Sequence, residues 1–353
     1  MKVSQEVFGQ TRFGETVTRY ILTNNNGMEV DVLDRGCIIQ SIRVPDSSGA
    51  LADVVLGCNT VADYEAESAY FGAVAGRYAN RICKGRLNIE GQEYQLATNN
   101  GQNHLHGGER GFNDRIWKAE SFVTESEAGI ELRYCSEDGE ENYPGTLDVS
   151  VRYTLNDQNE LSIQYGATTD KTTVVNLTNH TYFNLRGQGT SLDHRVQLFA
   201  DHFTPTDETS IPTGKIASVK DTPMDFTVAK TIRRDIDEEY SQLQMARGFD
   251  HNWVVRKTNE EAPSDPVLIA RVEEPDTGRT LEVLTTQPGV QFYTGNYLEG
   301  QPARGGSQYC SNDGFCLETQ HFPDSPNHNH FPSTVLIPGE EYRQITSFRF
   351  GNM

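Results

Sequence analysis

A chain of 353 residues can bury a large core, and all-β architectures of this length often stay undivided, so a single domain over residues 1–353 is expected. The net charge of −20 withholds the basic footprint that a nucleic-acid backbone or an anionic membrane surface requires, leaving a neutral or cationic small molecule as the expected partner. Hydrophobic residues make up 36% of the chain, which suits a sheet protein whose strands keep one face wet.

The first ten residues show no apolar signal-like stretch, and no later run reaches membrane-spanning length, so a cytoplasmic protein is expected. Six cysteines (37, 58, 83, 135, 310 and 316) form no C-x-x-C pair and read as reduced core thiols.

Strand signals dominate in chain order. Residues 28–44 alternate loosely through Val30, Val32, Ile39, Ile42 and Val44, then break at Pro45-Asp-Ser-Ser-Gly. Residues 86–96 read as a hairpin turning at Glu90-Gly91-Gln92. Leu147, Val149, Val151, Tyr153 and Leu155 alternate strictly, and Leu161, Ile163 and Tyr165 return after a turn at 156–159. The segments around Leu281-Val283 and Val290-Phe292 suggest another pair about Gln287-Pro-Gly. Helical spacing is rare: Ile236, Tyr240 and Leu243 with Gly248 as a stop, and a second short helix near Val61–Glu67. Thr258–Pro266 reads as a solvated surface loop. Many short strands joined by Gly, Asn, Asp and Pro turns predict an all-β, antiparallel sandwich or barrel.

Polar clusters interrupt these strands. Val175–Leu185 (V-N-L-T-N-H-T-Y-F-N-L) begins and ends as a β-run, and strand alternation puts Asn176, Thr178, His180 and Tyr182 on one face. Asn80 and Arg81 interrupt a small-residue, apolar run, and His104 and His106 share a face ahead of two glycines that allow a close approach to the backbone. Asp250 lies in G-F-D-H-N-W, and Glu318 follows the apolar Phe315-Cys-Leu, an expensive place for a carboxylate unless it is paired or used. His104-x-His106 with His321, or His328-x-His330, offers metal-type spacing without a clean three-ligand set, so no metal is expected. Donors and acceptors on strands with aromatic neighbours are what a sugar site demands. Nucleophile-triad and dinucleotide signatures are not evident in the chain.

In combination and order, G-R-Y-A-N-R-I-C-K-G, N-H-L-H-G-G, N-H-T-Y-F-N-L, G-F-D-H-N, T-T-Q-P-G-V-Q-F-Y-T-G-N and G-F-C-L-E-T-Q resemble the galactose mutarotase (aldose 1-epimerase) family nearly end to end. The resemblance implies a large antiparallel β-sandwich with a sugar cleft on its concave sheet, and an isomerase that interconverts the anomers of galactose or glucose without a cofactor. It implies Glu318 as general base and His180 as general acid. It further implies Asn80, Arg81, His106, Asp250 and Gln291 as substrate-binding residues. A monomer or weak dimer is expected. Two other readings stay open: an epimerase of hexose 6-phosphates, which would need a basic cluster, and a non-catalytic sugar-binding module.

Overall fold

The computed structural model describes residues 1–256 and 265–353, so most of the expected loop at 258–266 lies outside the described residues. The architecture is all-β, a large antiparallel sandwich. Its largest sheet has nine strands, ordered Lys118–Val123, Glu127–Ser136, Leu147–Asn156, Glu160–Thr169, Tyr342–Asn352, Arg279–Thr285, Val267–Glu273, Arg195–Leu198 and Lys230–Thr231. A six-stranded sheet follows the order Tyr182–Phe183, Phe315–Gln320, Gly289–Tyr293, Asp250–Val254, His202–Thr204 and Ala217–Ser218. A five-stranded meander covers Lys2–Gln10 to Leu51–Asp53.

Alternation explains how these layers meet. Leu147, Val149, Val151, Tyr153 and Leu155 all point inward, and they join one hydrophobic cluster with Val30 and Val32 of the meander and Trp253, Phe292 and Phe315 of the six-stranded sheet. The Phe183 and Phe348 rings meet at 5.1 Å across the two larger sheets. Burying such side chains yields roughly 25 cal/mol per Å² of apolar surface, so this layer dominates the stability.

The hairpins at 86–95 and 147–169 form as the patterns predict, and the alternating residues 28–44 form two strands, Glu29–Leu33 and Ile39–Pro45, that pair with each other. Several expectations need correction. Strands Arg279–Thr285 and Gly289–Tyr293 do not pair with each other. The first joins Val267–Glu273 and Tyr342–Asn352, the second Asp250–Val254 and Phe315–Gln320. The Gln287-Pro-Gly segment therefore carries the chain from one sheet to the other rather than back alongside itself. The 236–248 helix shrinks to Ser241–Ala246, because Arg247 adopts a left-handed φ of 56° and closes it after little more than one turn.

Nor is Val175–Leu185 one strand. It is a broken course of Thr178–Asn179 and Tyr182–Phe183, paired with Val74–Ala75 and Phe315–Cys316 respectively, and preceded by Thr173–Val174. Each break lets the next pair find a different neighbour, and several of the polar side chains find partners from distant parts of the chain, although Thr178 Oγ1 has no hydrogen-bond partner among the described residues. The Asn176 amide, for example, donates to the Ala79 carbonyl at 3.2 Å. Not all the cysteines are core thiols either: Cys37, Cys58 and Cys316 are buried, whereas Cys135 and Cys310 are exposed.

Candidate active site

The outer face of the six-stranded sheet carries the polar cluster. On Phe315–Gln320, Phe315 and Leu317 enter the main core, while Cys316, Glu318 and Gln320 take the opposite face by the two-residue period. The neighbouring strand sets Gln291 opposite Glu318 and Tyr293 opposite Cys316, and the next sets Asp250 opposite Tyr293. His180 lies in the gap between two of the short strands. Its backbone N–H donates to the Ala73 carbonyl at 2.8 Å, and its carbonyl accepts from Gly72 N–H at 3.0 Å. A cavity of about 520 Å³ opens above these groups, lined by Asn80, Arg81, His106, His180, Asp250 and Glu318.

His180 and Glu318 are the centre of this cavity. Nε2 of His180 faces Oε1 of Glu318 at 3.6 Å, and both side chains are buried. Among the described residues, Oε2 of Glu318 has no hydrogen-bond partner. Burial, reinforced by the Asp250 charge and opposed by Arg81, holds the Glu318 carboxyl well above the usual carboxylate range. Burial pulls His180 down to about 4. The two directions favour a proton on the carboxyl and a neutral ring, the reverse of the charge states in which Glu318 acts as base and His180 as acid. Burial also raises Asp250, with Arg81 and the Gln291 amide opposing it. Arg81 is the one arginine or lysine lining the cavity among the described residues, and its Nε donates to Asn100 at 3.1 Å.

His106 is fixed by its neighbours. Asn80 and His106 have left-handed φ values of 62° and 48°, a conformation that Asn and His tolerate better than most residues. Their backbones bond reciprocally: His106 N–H donates to the Asn80 carbonyl, and Asn80 N–H donates to Nδ1 of the His106 ring, both at 3.1 Å. A backbone N–H can only donate, so Nδ1 is the acceptor and the neutral ring keeps its proton on Nε2.

This tautomer bears on metal binding. His106, His180 and Glu318 bring ligand atoms within 4.8 Å of one another, the donor types zinc takes. One nitrogen of His106 is occupied by Asn80 and the other carries hydrogen, so the ring offers a sugar oxygen a donor but has no lone pair to give a cation.

Six of the seven expected site residues line the cavity: Asn80, Arg81, His106, His180, Asp250 and Glu318. Gln291 does not. It stands behind Asp250, donates to it at 2.7 Å, and accepts from Gln320. His104 also departs from the expectation that it shares a face with His106. The strand ends at Leu105, and the left-handed turn at His106 breaks the alternation. His104 Nδ1–H instead donates to the Ala97 carbonyl at 2.8 Å, away from the cavity. The glycines after His106 approach protein, not ligand: a Cβ on Gly107 would lie 1.8 Å from the Gly76 carbonyl oxygen.

Sequence reasoning left the aromatic wall unnamed. The Tyr70 ring lies tilted 4.7 Å from His106 and 6.0 Å from His180, and Tyr293 closes the other side. Tyr70 immediately precedes the small-residue, apolar run that Asn80 and Arg81 interrupt, so that signal was within reach. Glu208–Ser210 on the rim arrive from a distant loop that no local pattern marks.

Comparison with known proteins agrees with this geometry. The family model described as aldose 1-epimerase matches residues 18–349. The galactose mutarotase of Bos taurus is 44% identical over 353 residues, covering 99% of each chain. The aldose 1-epimerase of Escherichia coli (strain K12) is 38% identical over 340 residues, covering 96% of each. Among solved structures, a GalM/aldose epimerase homologue from C. elegans superposes with a TM-score of 0.86 at 30% identity, covering 94% of this chain and 98% of that one. A galactose 1-epimerase from Lactobacillus acidophilus NCFM gives 0.87 at 28% identity, over 100% and 99%. The chain belongs to the aldose 1-epimerase family.

Proposed function

We propose that this cleft interconverts the α and β anomers of a neutral aldohexose, D-galactose or D-glucose, as one domain in the cytoplasm, acting as a monomer or weak dimer. The observation that carries the reading is the buried His180–Glu318 pair, 3.6 Å apart on a polar cavity floor. Glu318 takes the proton of the C1 hydroxyl while His180 gives one to the ring oxygen. The C1–ring-oxygen bond breaks and a C1 carbonyl forms. Rotation about C1–C2 followed by the reverse transfers returns the opposite anomer.

Ring opening begins with carboxylate and imidazolium and leaves carboxylic acid and imidazole. Burial favours the second distribution, and the Arg81 charge pulls Glu318 back toward the first. The same pair with its roles exchanged carries the ring closure. Asn80, Arg81, His106 and Asp250 supply donors and acceptors to the hydroxyls, and Gln291 orients Asp250.

The lining argues for neutral sugars. Arg77, the other arginine of the A-G-R-Y-A-N-R run, is buried and spent on the carbonyls of Ser136, Pro144 and Gly145. Among the described residues, a phosphate in this cavity would meet Arg81 as its one lining cation, beside Asp250 and Glu318. Polarimetry on freshly dissolved α-D-galactose, α-D-glucose and their 6-phosphates tests this: the neutral sugars should have kcat/KM at least about tenfold higher, one missing charged contact being worth roughly 1.4 kcal/mol or more. A higher kcat/KM on glucose 6-phosphate would transfer the assignment to a phosphosugar epimerase, and no acceleration of any sugar would favour a binding module. Because His106 has no lone pair for a cation, dialysis against EDTA should leave the rate unchanged. A rate lost to the chelator and restored by zinc would reverse that assignment.

A further inference from the structure

The proposed cycle makes a demand on the nitrogen of His180 that faces away from the sugar. To exchange a proton through Nε2, the ring must pass between imidazolium and the neutral form that keeps hydrogen on Nδ1. Nδ1–H then needs an acceptor at every stage. The side-chain atom found there is the Cys316 sulfur, 3.5 Å from Nδ1. Nε2 meanwhile faces Glu318, so the two ring nitrogens have different partners.

The fold places this sulfur deliberately close. Cys316 lies two residues before Glu318 on the same strand face, with Tyr182 and Tyr293 as its cross-strand neighbours. Between two tyrosines the position admits only a small side chain, and the thiol is fully buried. We propose that Cys316 is a positioning residue of the reaction: its sulfur accepts from Nδ1–H of His180 and holds the ring with Nε2 free to exchange the catalytic proton. The inference rests on His180 being the proton-transfer group of the proposed function.

The element at this position suits the chemistry. A carboxylate there would stabilise the imidazolium and weaken it as an acid, whereas the hemiacetal ring oxygen is a poor base that needs a strong one. Sulfur is a weak acceptor, so it orients the ring without holding its charge. Burial keeps the thiol protonated, which leaves the site without a third negative charge beside Glu318 and Asp250.

The test reads the tautomer directly. Two-bond ¹H–¹⁵N correlation on sugar-free, ¹⁵N-histidine-labelled protein, with His180 assigned from His180→Asn, should show hydrogen on Nδ1 and a bare Nε2 at neutral pH. Hydrogen on Nε2 instead overturns the proposal. Cys316→Val removes the acceptor and leaves a small apolar side chain, so kcat should fall by about 10–100-fold, the loss typical when the outer hydrogen-bond partner of a metal-bound histidine is removed, with KM within about twofold. Cys316→Ser restores an acceptor and should recover most of kcat together with the Nδ1–H signal. A folded Cys316→Val protein with wild-type kcat and tautomer overturns the proposal. The spectrum of the wild-type protein decides the contact even if the valine variant does not fold, and even if no sugar turns over, which would count against the epimerase reading alone.

Discussion

Glu318→Gln should bind sugar yet lose turnover, with kcat falling by about 10²–10⁴-fold, the range of a general acid or base. The amide keeps the shape and the reach of the carboxylate but cannot take the C1 proton. His180→Asn should fall by a similar factor, since the ring oxygen loses its donor. Asp250→Ala sets the contrast: a group that mainly holds hydroxyls contributes equally to ground and transition states, so its loss appears chiefly as a raised KM. Polarimetric kinetics on the three variants, with circular dichroism confirming the fold, check all of this. A folded Glu318→Gln protein with near wild-type kcat would remove the base assignment and most of the case for chemistry at this pair.

Gly107→Ala should be among the most damaging single-methyl changes in the molecule. Its φ of +92° is strained for any L-residue at a cost of about 1–3 kcal/mol. The added Cβ would also sit 1.8 Å from the Gly76 carbonyl oxygen and 2.8 Å from the Arg77 nitrogen, backbone atoms that cannot swing aside. Overpacking of this kind adds roughly 1–3 kcal/mol, giving about 2–6 kcal/mol in all. Urea unfolding monitored by tryptophan fluorescence reads the loss, and a variant within about 0.5 kcal/mol of wild type, the range of an inert surface change, would show that the loop relaxes freely. His106 adjoins this glycine, so a protein that survives the change should also bind sugar more weakly.

Sequence patterns reached strands better than they reached sheets. Period-two alternation depends on one strand and one buried face, so Leu147–Leu155 was legible in isolation. Partner choice is a long-range property. Nothing near Gln287-Pro-Gly says that Thr285 and Gly289 end up in separate sheets. Alternation also misled where backbone conformation changed within two residues, as at His106, where a left-handed φ separates two histidines that the pattern joins. For the site, family motifs named residues that local physics had only flagged as costly. Glu318 was conspicuous as a carboxylate after an apolar run, whereas Gln291 carried no sign that it would stand behind Asp250. The tautomers of His106 and His180 were not legible at all, because each depends on an atom from a distant part of the chain: the Asn80 backbone and the Cys316 sulfur.

The place of Tyr342–Asn352 in the nine-stranded sheet has a consequence for how the molecule is made. This strand bridges Glu160–Thr169 and Arg279–Thr285, yet it follows all eight of its companions in the chain. During synthesis, four strands on one side and four on the other leave the ribosome before the piece that links them, and each group presents an unsatisfied edge of amides and carbonyls while it waits. The slow step of folding is then the closing of two preformed half-sheets around a latecomer, a high-contact-order event. Between those half-sheets and the arrival of the last strand lies the interval in which a chaperone has most to protect.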